Sequence, residues 1–245
     1  MIKLDMLAFA AHPDDTELSC SGTMLAHIAK GYSVGVVDLT RGEMGTRGTP
    51  ELRDQEAADA ARILGLSVRE NLGFADCFFV NDRHHQLEII KKIRQYQPRI
   101  VLANAPKDRH PDHGKAAQLV AEACFLAGLR KIETFDPTND SPQTAWRPSV
   151  VYHYIQDTNL KPDFVVDISN FMETKLAAVM AYKSQFYNPD TTNNDSEPNT
   201  YISSKVFLDR IRAKALELGY PLGFLYGEGF ISRRHIGVKC LGDLC

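Results

Sequence analysis

Short apolar runs alternate along the first half of the chain with stretches whose apolar positions recur every three or four residues. The runs at 6–11, 34–39, 67–72 and 99–104 have strand length. The segments 17–30, 51–64, 86–96 and 114–128 carry helical spacing. In the first of these, Leu18, Leu25, Ile28 and Ala29 share one face, and Gly31 stands just past the end. Gly65 stops the Ala-rich second segment, and the third ends near Pro98. This βαβαβαβα order predicts an α/β fold, a doubly wound, mostly parallel (Rossmann-like) sheet with helices on both faces. The second half is less regular. It suggests strands at 150–154 and 164–168, a helix over 171–183, a second helix over 202–218 and a last strand at 225–231. Between them, 188–199 is rich in Asp, Asn, Thr and Pro and reads as a long loop. No repeat, low-complexity tract or linker divides the chain, so 1–245 is expected to form one domain.

Composition removes several classes of function. The chain is 44% apolar and 24% charged, which is ordinary globular usage. Its 28 basic and 31 acidic residues leave a net charge of −3, so nothing favours a phosphate backbone as partner. No apolar run approaches the ~18 residues that a bilayer span requires. The opening Met1-Ile2-Lys3-Leu4-Asp5 has neither the apolar core nor the cleavage site of a signal peptide. The cysteines, Cys20, Cys77, Cys124, Cys240 and Cys245, are odd in number and widely spaced. They read as reduced thiols, not as a disulfide frame or zinc ribbon. A soluble cytoplasmic protein without nucleic-acid or membrane partners is the expectation.

Chemistry concentrates in two places. His12-Pro13-Asp14-Asp15 leaves the first strand, and "NAPKDRHPDHG", with His110, Asp112 and His113, follows the fourth. In doubly wound sheets, ligands bind beyond the carboxyl ends of the strands, where strand order reverses. An order beginning 3-2-1-4 would put both clusters at that crevice. His12, Asp15 and His113 then offer two imidazoles and a carboxylate, the three-ligand pattern of catalytic zinc with a water in the fourth place. A divalent ion would offset the repulsion and lost solvation of adjacent carboxylates. Asp14 would be placed to take a proton from the bound water, whose pKa zinc can lower to roughly 7. A single "HPDD" is more often a strand-end turn than a metal site; two such motifs, each after the right strand, favour the metal.

The two motifs, with "TRGEMGTRGTPELRDQEA", "LGFADC", "YKSQF" and "GEGF", resemble the PIG-L/LmbE-like zinc deacetylases, which remove acetyl from N-acetylglucosamine conjugates. The likeness covers most of the chain and is strongest to the bacillithiol-biosynthesis branch, which acts on N-acetyl-α-D-glucosaminyl L-malate. It implies one Zn2+ per subunit on His12, Asp15 and His113, other divalent transition metals being possible. It also implies Asp14 as general base, His110 as oxyanion stabiliser, and Asp112 orienting or charging His110. Arg53 and Asp76 are implied to hold sugar hydroxyls, and a homo-oligomer, specifically a hexamer, is implied.

Several residues have plainer readings. Arg53 and Glu56 are spaced for an exposed i,i+3 ion pair, and Asp76 suits a strand-end turn. Arg41 and Arg47, in the loop after the second strand, and Arg109, beside His110, are candidates for an anionic aglycone. His27 lies on a helix, His84 and His85 precede one, and His153 sits in an apolar strand. Lys183 and Gln185 fit a helix end.

Competing functions stay open at this point. They are a deacetylase of chitooligosaccharide or free sugar, a non-haem iron oxygenase built on a triad of two histidines and one carboxylate, a phosphoacceptor receiver, and a non-catalytic metal-dependent sugar-binding module. The absence of G-x-G-x-x-G after the first strand disfavours a dinucleotide enzyme.

Overall fold

A computed structural model describes residues 2–187 and 197–244. Seven strands form one sheet: β1 (Met6–Ala10), β2 (Val34–Thr40), β3 (Val68–Phe74), β4 (Ile100–Ala103), β5 (Val150–Tyr154), β6 (Phe164–Asp167) and β7 (Gly227–Ser232). Their order is β3-β2-β1-β4-β5-β7-β6. The pairs from β3 through β5 are parallel, whereas β7 runs antiparallel to both β5 and β6. The reversal of strand order therefore falls between β1 and β4, as the βα alternation predicts. No helix among the described residues is long and apolar enough to cross a membrane.

Among the described residues, seven α-helices accompany the sheet: α1 (Asp15–Ser19), α2 (Ser21–Ile28), α3 (Pro50–Leu64), α4 (Arg83–Tyr96), α5 (Pro111–Leu126), α6 (Met172–Val179) and α7 (Lys205–Gly219). β1 is buried along its whole length, and its period-two alternation feeds two cores. Leu7 and Phe9 pack with Val37, Val101 and the α4 and α5 residues Ile89, Ile93 and Leu119. Met6 and Ala8 pack on the other face with Met24, Leu25, Ala178 and Phe230.

Several boundaries differ from the sequence pattern. The segment 17–30 is two helices, broken at Cys20, whose φ is −142°. Side chains from distant segments satisfy the backbone groups freed there. Lys175 Nζ donates to the Leu18 carbonyl at 2.8 Å, and Glu228 accepts from the Gly22 and Thr23 amides at 3.0 and 2.7 Å. α5 begins at Pro111, three residues before the apolar spacing starts. Pro fits the first helical position, and His110 caps the helix by accepting the Asp112 amide on Nδ1 at 3.3 Å. α4 begins at Arg83 because Asp82 caps it through the His85 amide, so His84 and His85 lie within its first turn. α6 stops at Val179, which leaves Lys183 and Gln185 beyond its end. Most of the loop expected at 188–199, residues 188–196, lies outside the described residues.

Candidate active site

The chain leaves β1 into a tight turn at the switch point, where the Asn104 side chain at the end of β4 accepts the Ala11 amide at 2.9 Å. Asp14 adopts φ 109°, a conformation L side chains rarely take. It sends two consecutive carboxylates in different directions. Asp15 points inward, accepting from the His12 amide at 3.0 Å, Asn104 Nδ2 at 2.9 Å and Gln156 Nε2 at 3.0 Å. Asp14 points instead to the Arg53 guanidinium at 3.0 Å.

Both imidazoles are held from behind. His113 Nδ1 lies 2.6 Å from Asp108, and its Nε2 faces Asp15 at 3.1 Å. His12 Nε2 lies 3.0 Å from Asp76, and its Nδ1 faces Asp15 at 3.7 Å. Each ring thus has one nitrogen on an outer carboxylate and the other on the shared Asp15. Outer carboxylates that fix the orientation of metal-binding histidines give this arrangement. Ligand-capable atoms of His12, His110 and His113 also lie within 4.8 Å of one another, as do those of His12, Asp76 and Asp112. Asp76 and Asp108 serve best as the outer partners, because each occupies the ring nitrogen turned away from Asp15.

The electrostatics fit a cation. Burial opposes charge on His12, yet Asp112, Asp76 and Asp15 hold its pKa up at about 10. Burial likewise opposes charge on His113, and Asp15 and Asp108 hold it up at about 9. Asp15 stays well below the usual carboxylate range despite burial, because both imidazoles face it. The carboxylates thus call for positive charge among the ring nitrogens, which is what a divalent ion on this donor set would supply. Burial pushes Asp14 up to about 7, with the Arg53 charge pulling the other way.

Arg53 is buried and is not an exposed ion-pair partner of Glu56. It donates to the Pro13 carbonyl, Asp14 and Gln185, while Glu56 accepts from the Ser184 amide and hydroxyl. Its Nε has no hydrogen-bond partner among the described residues. Gly42, at φ 66°, cradles the guanidinium; a Cβ there would lie 2.8 Å from Nη1.

The remaining expected residues divide. Asp76 faces the site, but its carboxylate is engaged by His12 and the Met44 amide. The Asp112 carboxylate meets the Cys77 amide at 2.8 Å and Lys115 at 2.9 Å and does not bond the His110 ring; its amide makes that contact. His110 completes the histidine group, its ring 4.6 Å from that of His12 and its pKa lowered by burial and the neighbouring rings. Arg109 lines the cleft. Arg47 does not: its guanidinium reaches the carbonyls of Ser184, Glu197 and Pro198. Arg41 pairs with Asp54 and Glu51 on the surface. His153 is a satisfied buried histidine, its Nδ1 2.7 Å from the Asn104 carbonyl.

Asp108, Asn104 and Gln156 are participants that the sequence pattern does not single out, and Gln185, expected only at a helix end, reaches Arg53 instead. Asp108 stands five residues before His113 inside the quoted cluster, so a search for an outer partner would have reached it. Gln156 and Gln185 carry no local signal. Asp108, Gln156 and Gln185 border a cavity of about 350 Å³ that extends from the histidines to α7 and β7.

A family model described as PIG-L: GlcNAc-PI de-N-acetylase matches residues 7–124. Diacetylchitobiose deacetylase of Thermococcus kodakarensis is 32% identical over 234 residues, 91% of this chain and 81% of that protein. The chain belongs to the PIG-L family. A second relative is the probable N-acetyl-alpha-D-glucosaminyl L-malate deacetylase 2 of Bacillus anthracis, 28% identical over 71% of this chain and 78% of its own. A conserved protein of Thermus thermophilus shares the fold with a TM-score of 0.82 and 39% identity, covering 96% of this chain and 98% of its own. The PIG-L match includes both motif loops and ends within α5, so α7 and β7 lie beyond it.

Proposed function

We propose that this PIG-L protein is a zinc-dependent hydrolase that removes the N-acetyl group from an N-acetylglucosamine conjugate, with N-acetyl-α-D-glucosaminyl L-malate the favoured substrate. The carrying observation is the shared Asp15 between two carboxylate-backed imidazoles, with Asp14 turned aside at the same turn. His12, Asp15 and His113 would hold the ion, backed by Asp76 and Asp108. When bound, such an ion supplies a Lewis acid for the acetyl carbonyl and acidifies a water.

The chain's own groups account for the rest. Asp14, with a pKa near neutrality, accepts the water's proton and returns it to the departing amine. Arg53 fixes that carboxylate and holds its turn through the Pro13 carbonyl. His110 would donate to the oxygen that gains charge, a contribution of a few kcal/mol in a dry site. The products are acetate and a glucosamine conjugate.

The names of the two relatives support the sugar and divide on what is attached to it. The deciding experiment measures acetate and free amine from N-acetylglucosaminyl-malate, diacetylchitobiose and N-acetylglucosamine, with and without a chelator. Chelator-sensitive acetate release is expected, fastest from the malate conjugate. Equal turnover of all three would remove the malate assignment, and no acetate from any would remove the hydrolase.

A further inference from the structure

α7 presents Phe207, Arg210, Ile211, Lys214, Ala215 and Leu218 to the cleft. That spacing is the inner stripe of an amphipathic helix. Four of the six are apolar, as an inner stripe should be, and two are cations. Lys214 is the cation whose hydration is lost to burial and which an anion would offset, whereas Arg210 keeps 42% of its side chain exposed. The supply on this wall is short. Asp157 accepts Arg210 at 2.8 Å, Arg109 at 3.3 Å and the Tyr201 hydroxyl at 3.0 Å. Asp108, the next carboxylate, is committed to His113 and to the Thr158 amide. Among the described residues, Lys214 has only the Gln156 carbonyl as its hydrogen-bond partner, and burial pushes its pKa down to about 8. Arg109 and Arg210 therefore share one carboxylate, Asp157, and Lys214 has none, at a wall joined to the catalytic cluster through Gln156 and Thr158.

We propose that Arg210 and Lys214 of α7, with Arg109 opposite, form a subsite for an anionic group on the substrate's aglycone, a carboxylate or a phosphate. Lys214 supplies the charge that lacks a carboxylate partner, and Arg210 and Arg109 turn partly from Asp157 to share the ligand. Of the three cations that the sequence pattern nominates for this purpose, Arg109 lines the cleft, whereas Arg41 and Arg47 are engaged elsewhere. The reading rests on the deacetylase assignment for the sugar portion alone.

The test uses the full-length, metal-loaded protein and its Arg210→Gln and Lys214→Met variants, with Lys214→Arg as the charge-preserving control. For each, kcat/KM is measured on N-acetylglucosaminyl-malate, N-acetylglucosamine 1-phosphate and uncharged N-acetylglucosamine. Binding of the deacetylated malate conjugate and of glucosamine is measured by calorimetry. The ratio of anionic to neutral kcat/KM should fall roughly 10- to 100-fold in the two neutralised variants, the loss expected for one charged hydrogen bond. Lys214→Arg should recover most of it, and the anion with the larger starting ratio identifies the group. An unchanged ratio in variants that melt no lower than the wild type would overturn the subsite. If no substrate releases acetate yet the malate conjugate binds through Lys214, the hydrolase reading fails and the subsite stands.

Discussion

Asp14 and Asp15 are chemically identical neighbours with different partners, and one backbone angle separates them. The φ of 109° at Asp14 turns its carboxylate to Arg53 and leaves Asp15 to two imidazoles. Asp14→Asn should therefore lower kcat by about 10²–10⁴-fold, the usual worth of a general base, with metal affinity near wild type. A chelator competition and an acetate assay on one preparation check both halves. Asp108→Asn should do the reverse first, weakening metal binding about 10–100-fold because the His113 ring loses its outer carboxylate. Lys214 carries a pH signature. Its folded pKa, about 8, lies below its ordinary value, so the unfolded chain binds more protons between the two. Stability from this group should rise with pH through that window and be lowest below it. Lys214→Met should remove the slope and be more stable than wild type at pH 7, as denaturant unfolding across pH 6–10 would reveal.

At the scale of elements, the break between α1, which begins at Asp15, and α2 is sustained by side chains from distant segments. The buried Lys175–Glu228 pair, 2.7 Å apart, takes over the backbone groups that the break exposes. Removing one partner leaves a buried charge unpaired, so Lys175→Met should cost about 3–5 kcal/mol in urea unfolding. Lys175→Met combined with Glu228→Gln should cost less than the two single losses added. None of this is legible locally. Residues 17–30 keep helical spacing across the break, and the side chains that permit it lie 157 and 206 positions away. The α5 start is the opposite case, because Pro111 and the His110 cap are local signals. Apolar spacing alone missed them, since the first turn of that helix faces the site and not the core.

The whole molecule explains why the site was readable and its far wall was not. Strand order follows from βα alternation, and that order brings residue 12 to residue 113 at the gap between β1 and β4. Two loops of a parallel sheet thus announce a shared site in sequence. The wall opposite is built by α7 and by β7, which enters antiparallel between β5 and β6. No alternation rule foretells that insertion, so Gln156, Arg210 and Lys214 gave no warning of their place. The central claim is that one divalent ion sits among His12, Asp15 and His113, beside Asp14. Anomalous diffraction at the zinc edge from metal-loaded crystals tests it most directly. One strong peak is expected per chain, about 2.0–2.2 Å from a nitrogen of each histidine and an oxygen of Asp15. A peak centred instead on Asp76 and Asp112, or no peak in protein shown to be loaded, would contradict it.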